Sequence, residues 1–224
     1  MELLLAEGYV PIYPDQLIAL KSAIQVKEKY VLVSFDDGYE DFLLHAWPIL
    51  KELGIAATIF VISDYIGGWN KWDSIRVSKH RHLSLDQLKK LRDEGVAFGS
   101  HSCSHRLLIL RTNSTLNAEL RESQLALEEL LDVKIRTLAY PGGHTNRRVC
   151  EATKRYYDLG FATDADLSGL FCDPYRIPRF DPSFHQDPDS FRQALQAHAG
   201  NAADKPARMF SQTLQRLIGK WKGV

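Results

Sequence analysis

Short apolar runs alternate along this chain with longer stretches whose apolar residues recur at helical spacing. Residues 30–35, with Val31-Leu-Val-Ser-Phe35, read as a buried strand. Further strands are predicted at Ala57–Ile62, Val96–Ser100, Ile135–Tyr140, Gly160–Thr163 and Tyr175–Phe180. Between the first two, Phe42, Leu43, Ala46, Ile49, Leu50 and Leu53 predict a helix over 39–53 that stops at Gly54. Pro48 would cost ~3 kcal/mol in a helix interior, so it is placed in the first turn of the main helix, after a lead-in at Asp41–Trp47. Ser84-Leu-Asp-Gln87 has the form of a capping box and opens a helix ending at Gly95. Leu116, Leu120, Leu127, Leu130 and Leu131 share one stripe of the longest predicted helix, 114–131. Helices are also expected over 146–158 and from Asp187-Pro188. Residues 1–29 read as an exposed preface with a short amphipathic helix after Pro14-Asp15.

Strands and helices alternating at intervals of roughly thirty residues predict a parallel α/β architecture. With no internal repeat and no linker, the expected organisation is one domain over residues 1–200 and a polar, helical tail over 201–224. A chain of 224 residues has the length for a sizeable core. Its 28 basic and 28 acidic residues leave no net charge, which argues against nonspecific nucleic-acid binding and a polybasic membrane anchor. The longest apolar runs, such as Ile55–Ile62, fall far short of the about 20 residues a membrane-spanning helix needs. Met-Glu-Leu-Leu-Leu-Ala-Glu-Gly lacks the basic region of a signal peptide, so the chain as written reads as cytoplasmic, and as extracytoplasmic if a segment precedes Met1. Cys103, Cys150 and Cys172 do not form a disulfide framework.

The candidate chemistry begins where the first strand runs into Asp36-Asp37-Gly38. Two adjacent carboxylates at a strand end repel unless a proton or a cation lies between them. A metal bound by one, with the other accepting a proton from the attacking water, resolves that repulsion. The second motif is His101-Ser-Cys-Ser-His105, whose histidines would share one face if the segment is helical. Two histidines and a carboxylate with open positions form the ligand set of a catalytic zinc site, and cobalt, nickel or manganese also suit it. Parallel folds gather such groups at the carboxyl ends of strands, where Tyr140–His144 and Arg179 also fall.

Ser34-Phe-Asp-Asp-Gly38 together with His101-Ser-Cys-Ser-His105 resembles the first two motifs of the polysaccharide deacetylases, the NodB-homology family or carbohydrate esterase family 4. Tyr140-Pro-Gly-Gly143 is similar to the third motif and Arg176-Ile-Pro-Arg179 to a later one, so the likeness spans roughly residues 8–182. The resemblance implies a distorted (β/α) barrel of about seven parallel strands and metal-dependent removal of N-acetyl groups from a carbohydrate. It implies Asp36 as general base and Asp37, His101 and His105 as metal ligands, with a backbone N–H of the Tyr140–Gly143 turn facing the oxyanion. Met1 falls where members already have a barrel strand, which predicts an absent or altered first strand. Ala139 stands where the family places an arginine that orients the base, and Arg179 is the candidate substitute. The family's Leu-x-His element, which supplies the general acid, is not recognisable, leaving His185 and His144 as candidates. Tyr39, Trp69, Trp72 and Tyr140, with Pro141, Gly142 and Gly143, are the candidate carbohydrate-binding residues, since sugar faces stack on aromatic rings.

Three rivals remain. A magnesium phosphatase with an Asp nucleophile would need Asp-x-Asp spacing and leaves the histidine pair unexplained. A degenerate member that binds metal and carbohydrate without turnover fits Ala139 and the missing acid. An O-acetyl esterase of the xylan type is the third.

Overall fold

The computed structural model describes residues 1–20, 28–70, 79–163, 173–182, 185, 187–199 and 210–212. A short helix α1 (Glu2–Ala6) leads into β1 (Tyr9–Pro11), α2 (Pro14–Leu20) and β2 (Lys29–Val31), and β1 and β2 pair as a small parallel sheet. The expected strand 30–35 is therefore split. Its first part joins this small sheet, and β3 (Val33–Phe35) joins the main one beside β4 (Ala57–Val61).

The chain continues through α3 (Trp47–Glu52), α4 (Leu85–Asp93), β5 (Ala97–Ser100), α5 (Asn113–Leu131), β6 (Thr137–Ala139), α6 (Arg147–Thr153), β7 (Leu159–Ala162), β8 (Ile177–Pro178), α7 (Pro188–Ala199) and β9 (Phe210–Gln212). Seven parallel strands lie in the order β8-β7-β6-β5-β4-β3-β9 and curl as a distorted (β/α) half-barrel. Residues 210–212, read from the sequence as helical tail, instead extend the sheet edge at β3. The rest of the 201–224 tail lies outside the described residues.

The period-two alternation of the strands sorts the core into two layers. Val33, Phe35, Ala57, Ile59, Val61, Phe98 and Leu138 face the helices and pack with Leu88, Leu91, Leu116, Leu120, Leu127 and Leu131. The opposite, inner face carries Leu32, Phe60, Ala139, Leu159, Phe161 and Ile177. Ile12 and Leu17, 3% exposed each, belong to this inner layer. Residues 1–29 are thus in part a core element rather than the exposed preface expected, because the inner face needs an apolar cover.

Helix signals held where chemistry was local. Ser84 and Gln87 form the reciprocal capping box, at 3.2 and 2.8 Å, and Thr112 caps α5. Pro48 does sit in the first turn of α3, but the lead-in is a wide π-type turn over Phe42–Ala46. The Trp47 N–H reaches back to the Phe42 carbonyl, a spacing that makes room for the proline ring.

Gly99 in β5 sits where a Cβ would collide with the Phe60 ring and come within 2.7 Å of Thr137 Oγ1. Gly99→Ala is expected to destabilise the fold by about 1–3 kcal/mol through overpacking, read from urea unfolding; a parent-like midpoint would contradict that packing.

Candidate metal centre and active site

The inner-face alternation runs past the strand ends into the polar residues. Counting in twos, Ser34 is followed by Asp36, Gly99 by His101 and Ile177 by Arg179, so three strands aim these groups into the same mouth. Asp37 would face outward in a continued strand. Its backbone is instead left-handed, with φ 67°, followed by Gly38 at φ 68°, and the turn brings its carboxylate back beside its neighbour's side. That conformation is uncommon for a non-glycine residue, and aspartate is among those that tolerate it.

The two histidines converge by a different route from the one expected. Residues 101–107 are not helical: Ser102 and His105 have left-handed φ of 64° and 57°, and the loop folds around its own hydroxyls. Ser102 N–H donates to Ser100 Oγ and His105 N–H to Ser102 Oγ, both at 3.1 Å. Glu119, 8% exposed, reaches in from α5 and accepts the N–H groups of Cys103 and Ser104 at 3.0 Å each, as well as the Ser104 hydroxyl. These local bonds compete successfully with a helical turn. Cys103 turns away from the histidines, its thiol donating to the Glu119 carbonyl, and burial pushes its pKa up to about 11.

The result is a tight cluster in which Asp37 and His101 are buried and His105 partly so. Asp37 Oδ1 lies 3.2 Å from His105 Nε2 and 3.5 Å from His101 Nε2, and one donor atom from each of the three residues falls within 4.8 Å of the others. His101 Nδ1 is 2.8 Å from the Ala139 carbonyl, which can only accept, so that nitrogen carries the proton and Nε2 presents a lone pair. Burial lowers the pKa of both imidazoles, that of His105 to about 3. His101 thus turns a neutral lone pair toward the Asp37 carboxylate, and His105, its charged form disfavoured by burial, lies against the same oxygen. Among the described residues this donor set fits a divalent cation, with the backbone carbonyl orienting His101 from behind.

Asp36 is held differently. Arg179 grips it bidentately, Nη1 to Oδ1 at 2.6 Å and Nη2 to Oδ2 at 2.7 Å, while His101 Nε2 lies 4.0 Å from Oδ2. Burial by itself would raise its pKa, yet the Arg179 guanidinium outweighs it and holds the carboxyl below its usual range. The Arg179 guanidinium carbon lies 5.7 Å from the centre of the Phe60 ring. Arg179, reaching in after β8, is thus the cation that pairs with Asp36.

The aromatic expectations fare less well. Tyr39 is 4% exposed and stacks on His82, and Tyr140 is fully buried with its hydroxyl donating to the Tyr175 carbonyl at 2.6 Å. Neither ring offers a face to a sugar, because each fills the space its strand end leaves against the core. Trp69, 47% exposed, does offer one, and Trp72 lies outside the described residues. In the third-motif turn Pro141 and Gly143 are buried and Gly142 is exposed, at φ 68°. Tyr140 and Gly143 N–H donate to the carbonyls of Phe161 and Tyr140, and Pro141 has none, so among the described residues Gly142 is the turn residue whose N–H has no backbone acceptor. His144 is exposed, and His185 stacks on Phe180 with Nδ1 2.8 Å from Ser190 Oγ, contacts outside the metal-type cluster.

Two site residues had no sequence motif to mark them. Glu119 is one position on a helix stripe. His82, 1% exposed, places Nδ1 2.8 Å from the Asp37 carbonyl and lies between the rings of Tyr39 and Tyr65. Burial pushes its pKa down to about 4.

A half-barrel with an Asp-His-His cluster at its strand ends defines the class, and a family model described as polysaccharide deacetylase matches residues 23–158. The chain belongs to the polysaccharide deacetylase family. It is similar to YxkH of Bacillus subtilis (strain 168), itself named for this family, with 30% identity covering 70% of this chain and 53% of that protein. It is also similar to the poly-beta-1,6-N-acetyl-D-glucosamine N-deacetylase of Staphylococcus epidermidis, at 29% identity over 73% of this chain and 60% of that one. The chain therefore spans between half and two thirds of the length of these relatives. Among solved structures, IcaB from Ammonifex degensii superposes with a TM-score of 0.73 at 25% identity, covering 88% of this chain and 85% of that one. Streptococcus pyogenes deacetylase PplD in complex with acetate gives 0.69 at 25% identity, over 86% and 82%.

Glu119→Ala leaves the Cys103 and Ser104 N–H groups without their acceptor, and each such buried donor costs about 1–3 kcal/mol. A lowered unfolding midpoint is expected, partly restored in Glu119→Gln, which keeps a carbonyl oxygen; equal midpoints for parent and Glu119→Ala would contradict the bonding.

Proposed function

We propose that this chain is a metal-dependent hydrolase that removes N-acetyl groups from an amino-sugar polysaccharide or oligosaccharide. The observation that carries it is that the two adjacent carboxylates have different partners. Asp37 shares a buried cluster with two neutral imidazoles, and Asp36 is turned to Arg179. Asp37, His101 and His105 would hold the metal, with zinc the first choice for this donor set. A bound divalent cation supplies Lewis-acid polarisation and favours ionisation of the attacking water.

The protein's own groups do the rest. Asp36, kept ionised by Arg179, takes the proton of the attacking water at a carboxylate oxygen. The Gly142 N–H donates to the developing oxyanion. The departing amine also needs a proton, for which His185 and His144 are the candidates the sequence offers; His185 packs on Phe180 of the helix-facing layer and His144 is exposed. The carbon–nitrogen bond breaks, leaving acetate and a free amino sugar. Trp69 supplies the exposed ring against which a sugar can stack. The named activities of the staphylococcal relatives favour a β-1,6-linked N-acetylglucosamine polymer as substrate. The precise Arg179–Asp36 fork speaks against a degenerate binding protein, which would have no use for an aligned base.

Acetate release from poly-β-1,6-N-acetylglucosamine oligomers by zinc-loaded protein tests this, with acetylated xylan and a phosphomonoester as controls. Asp37→Ala and His105→Ala are expected to lose the metal. Asp36→Asn is expected to keep it and to lose at least about a hundredfold in turnover. Arg179→Lys, which trades the fork for a point charge, is expected to lose about tenfold or more in kcat with its metal content intact. Metal bound without acetate release from any acetylated sugar would remove the enzymatic reading.

A further inference from the structure

We propose that His82 is a positioning residue that sets the metal-binding aim of Asp37 through its backbone. This rests on the assignment of Asp37 as a metal ligand given above. Asp37 is useful only because its main chain is left-handed, and a left-handed non-glycine residue is held by its surroundings rather than by its own preference. The Asp37 carbonyl is the group whose orientation reports that turn. His82 Nδ1 lies 2.8 Å from it, and a carbonyl can only accept, so His82 donates there and its tautomer is fixed.

The imidazole is in turn held by two tyrosine rings and by the pairing of its own segment. Its ring lies between Tyr39 and Tyr65, with centroids 4.6 and 5.5 Å away. Its own segment is stitched to the Asp37 turn on one edge: Leu83 N–H donates to the Gly38 carbonyl and Glu40 N–H to the Arg81 carbonyl, both at 2.9 Å. On the other edge, His82 N–H donates to Gly68 at 2.9 Å and Gly67 N–H to Leu83 at 2.8 Å. Residues 80–83 thus form the middle of a small ribbon between 38–40 and 67–70, which also presents Trp69 opposite Arg81.

The chemistry of the ring argues against simple packing. His82 Nε2 is buried and has no hydrogen-bond partner among the described residues. Leaving that nitrogen dry is unfavourable, and a phenyl ring would fill the same sandwich without the cost. What a phenyl ring cannot do is donate to the Asp37 carbonyl. The ribbon also passes that constraint to the rim carrying Trp69, so metal geometry and the sugar platform share one support.

The test compares two polar variants that differ only in where the amide nitrogen falls. In H82N it takes the place of Nδ1, and in H82Q it falls nearer the place of Nε2. Zinc affinity is measured by chelator competition on metal-free protein, and thermal unfolding of the same metal-free samples reports structure. Loss of a group that orients a metal ligand typically costs about 10–100-fold in affinity. H82Q is expected to bind zinc about tenfold or more weakly than the parent, H82N within about threefold of it, and the two metal-free proteins to unfold within a few degrees of each other. Equal zinc affinity in parent and H82Q would overturn the proposal. So would equal weakening in both variants, or failure of both to fold, since each makes His82 a packing residue only. A parent that binds no zinc at all would instead defeat the assignment of Asp37, His101 and His105, separately from the part given to His82.

Discussion

A buried carboxylate packed against two imidazoles whose charged forms burial disfavours is the constraint around which the mouth of this half-barrel is built. Asp37, His101 and His105 lie where burial penalises any charge, and the carbonyl of Ala139 claims the one proton of His101. Such an arrangement is electrostatically unbalanced in the protein alone and balanced by a cation. Asp36 meets the same difficulty with a different solution, because Arg179 is supplied from β8 to neutralise it. Adjacent residues of one chemical type are thereby given different partners.

Three supports keep the cluster from relaxing. The strand alternation aims Asp36, His101 and Arg179 inward without further help. Asp37 and His105 need left-handed backbone, and each is stabilised from outside the cluster. Glu119 gathers the N–H groups of the histidine loop from α5, and the ribbon at 80–83 holds the Asp37 turn. Strain at the centre is therefore borne by a helix and a ribbon that take no part in the chemistry, an arrangement common where geometry must be exact.

Local signals in the sequence carried far. The capping box at Ser84, the leucine stripe of α5 and the special place of Pro48 all appear in the fold, because each depends on neighbours within a turn. Asp36, Asp37, His101 and His105 were visible as a motif pair, and the coordinates bring them together. The route was not visible: the histidine loop is folded by Ser100, Ser102 and Glu119, and only the last of these lies far enough away to escape any spacing rule. Tyr39 and Tyr140 looked like sugar platforms because they border the motifs, yet burial is a tertiary property, and both rings face the core. His82 sits in a polar run with no motif of its own, and only the pairing of 80–83 with 38–40 gives it a meaning. The preface also deceived, since Ile12 and Leu17 find their apolar partners on strands far along the chain.

X-ray absorption spectroscopy of the zinc-loaded protein is the most direct measurement of the central constraint, because it reads the atoms around the ion rather than the outcome of a reaction. Two imidazole nitrogens at about 2.0–2.1 Å and oxygen donors at about 2.0–2.2 Å, with the imidazole signal lost in the double variant His101→Ala/His105→Ala, is the expected result. A sulfur shell at about 2.3 Å, or a first shell unchanged by that double variant, would place the ion elsewhere and contradict the convergence of Asp37, His101 and His105 on a metal.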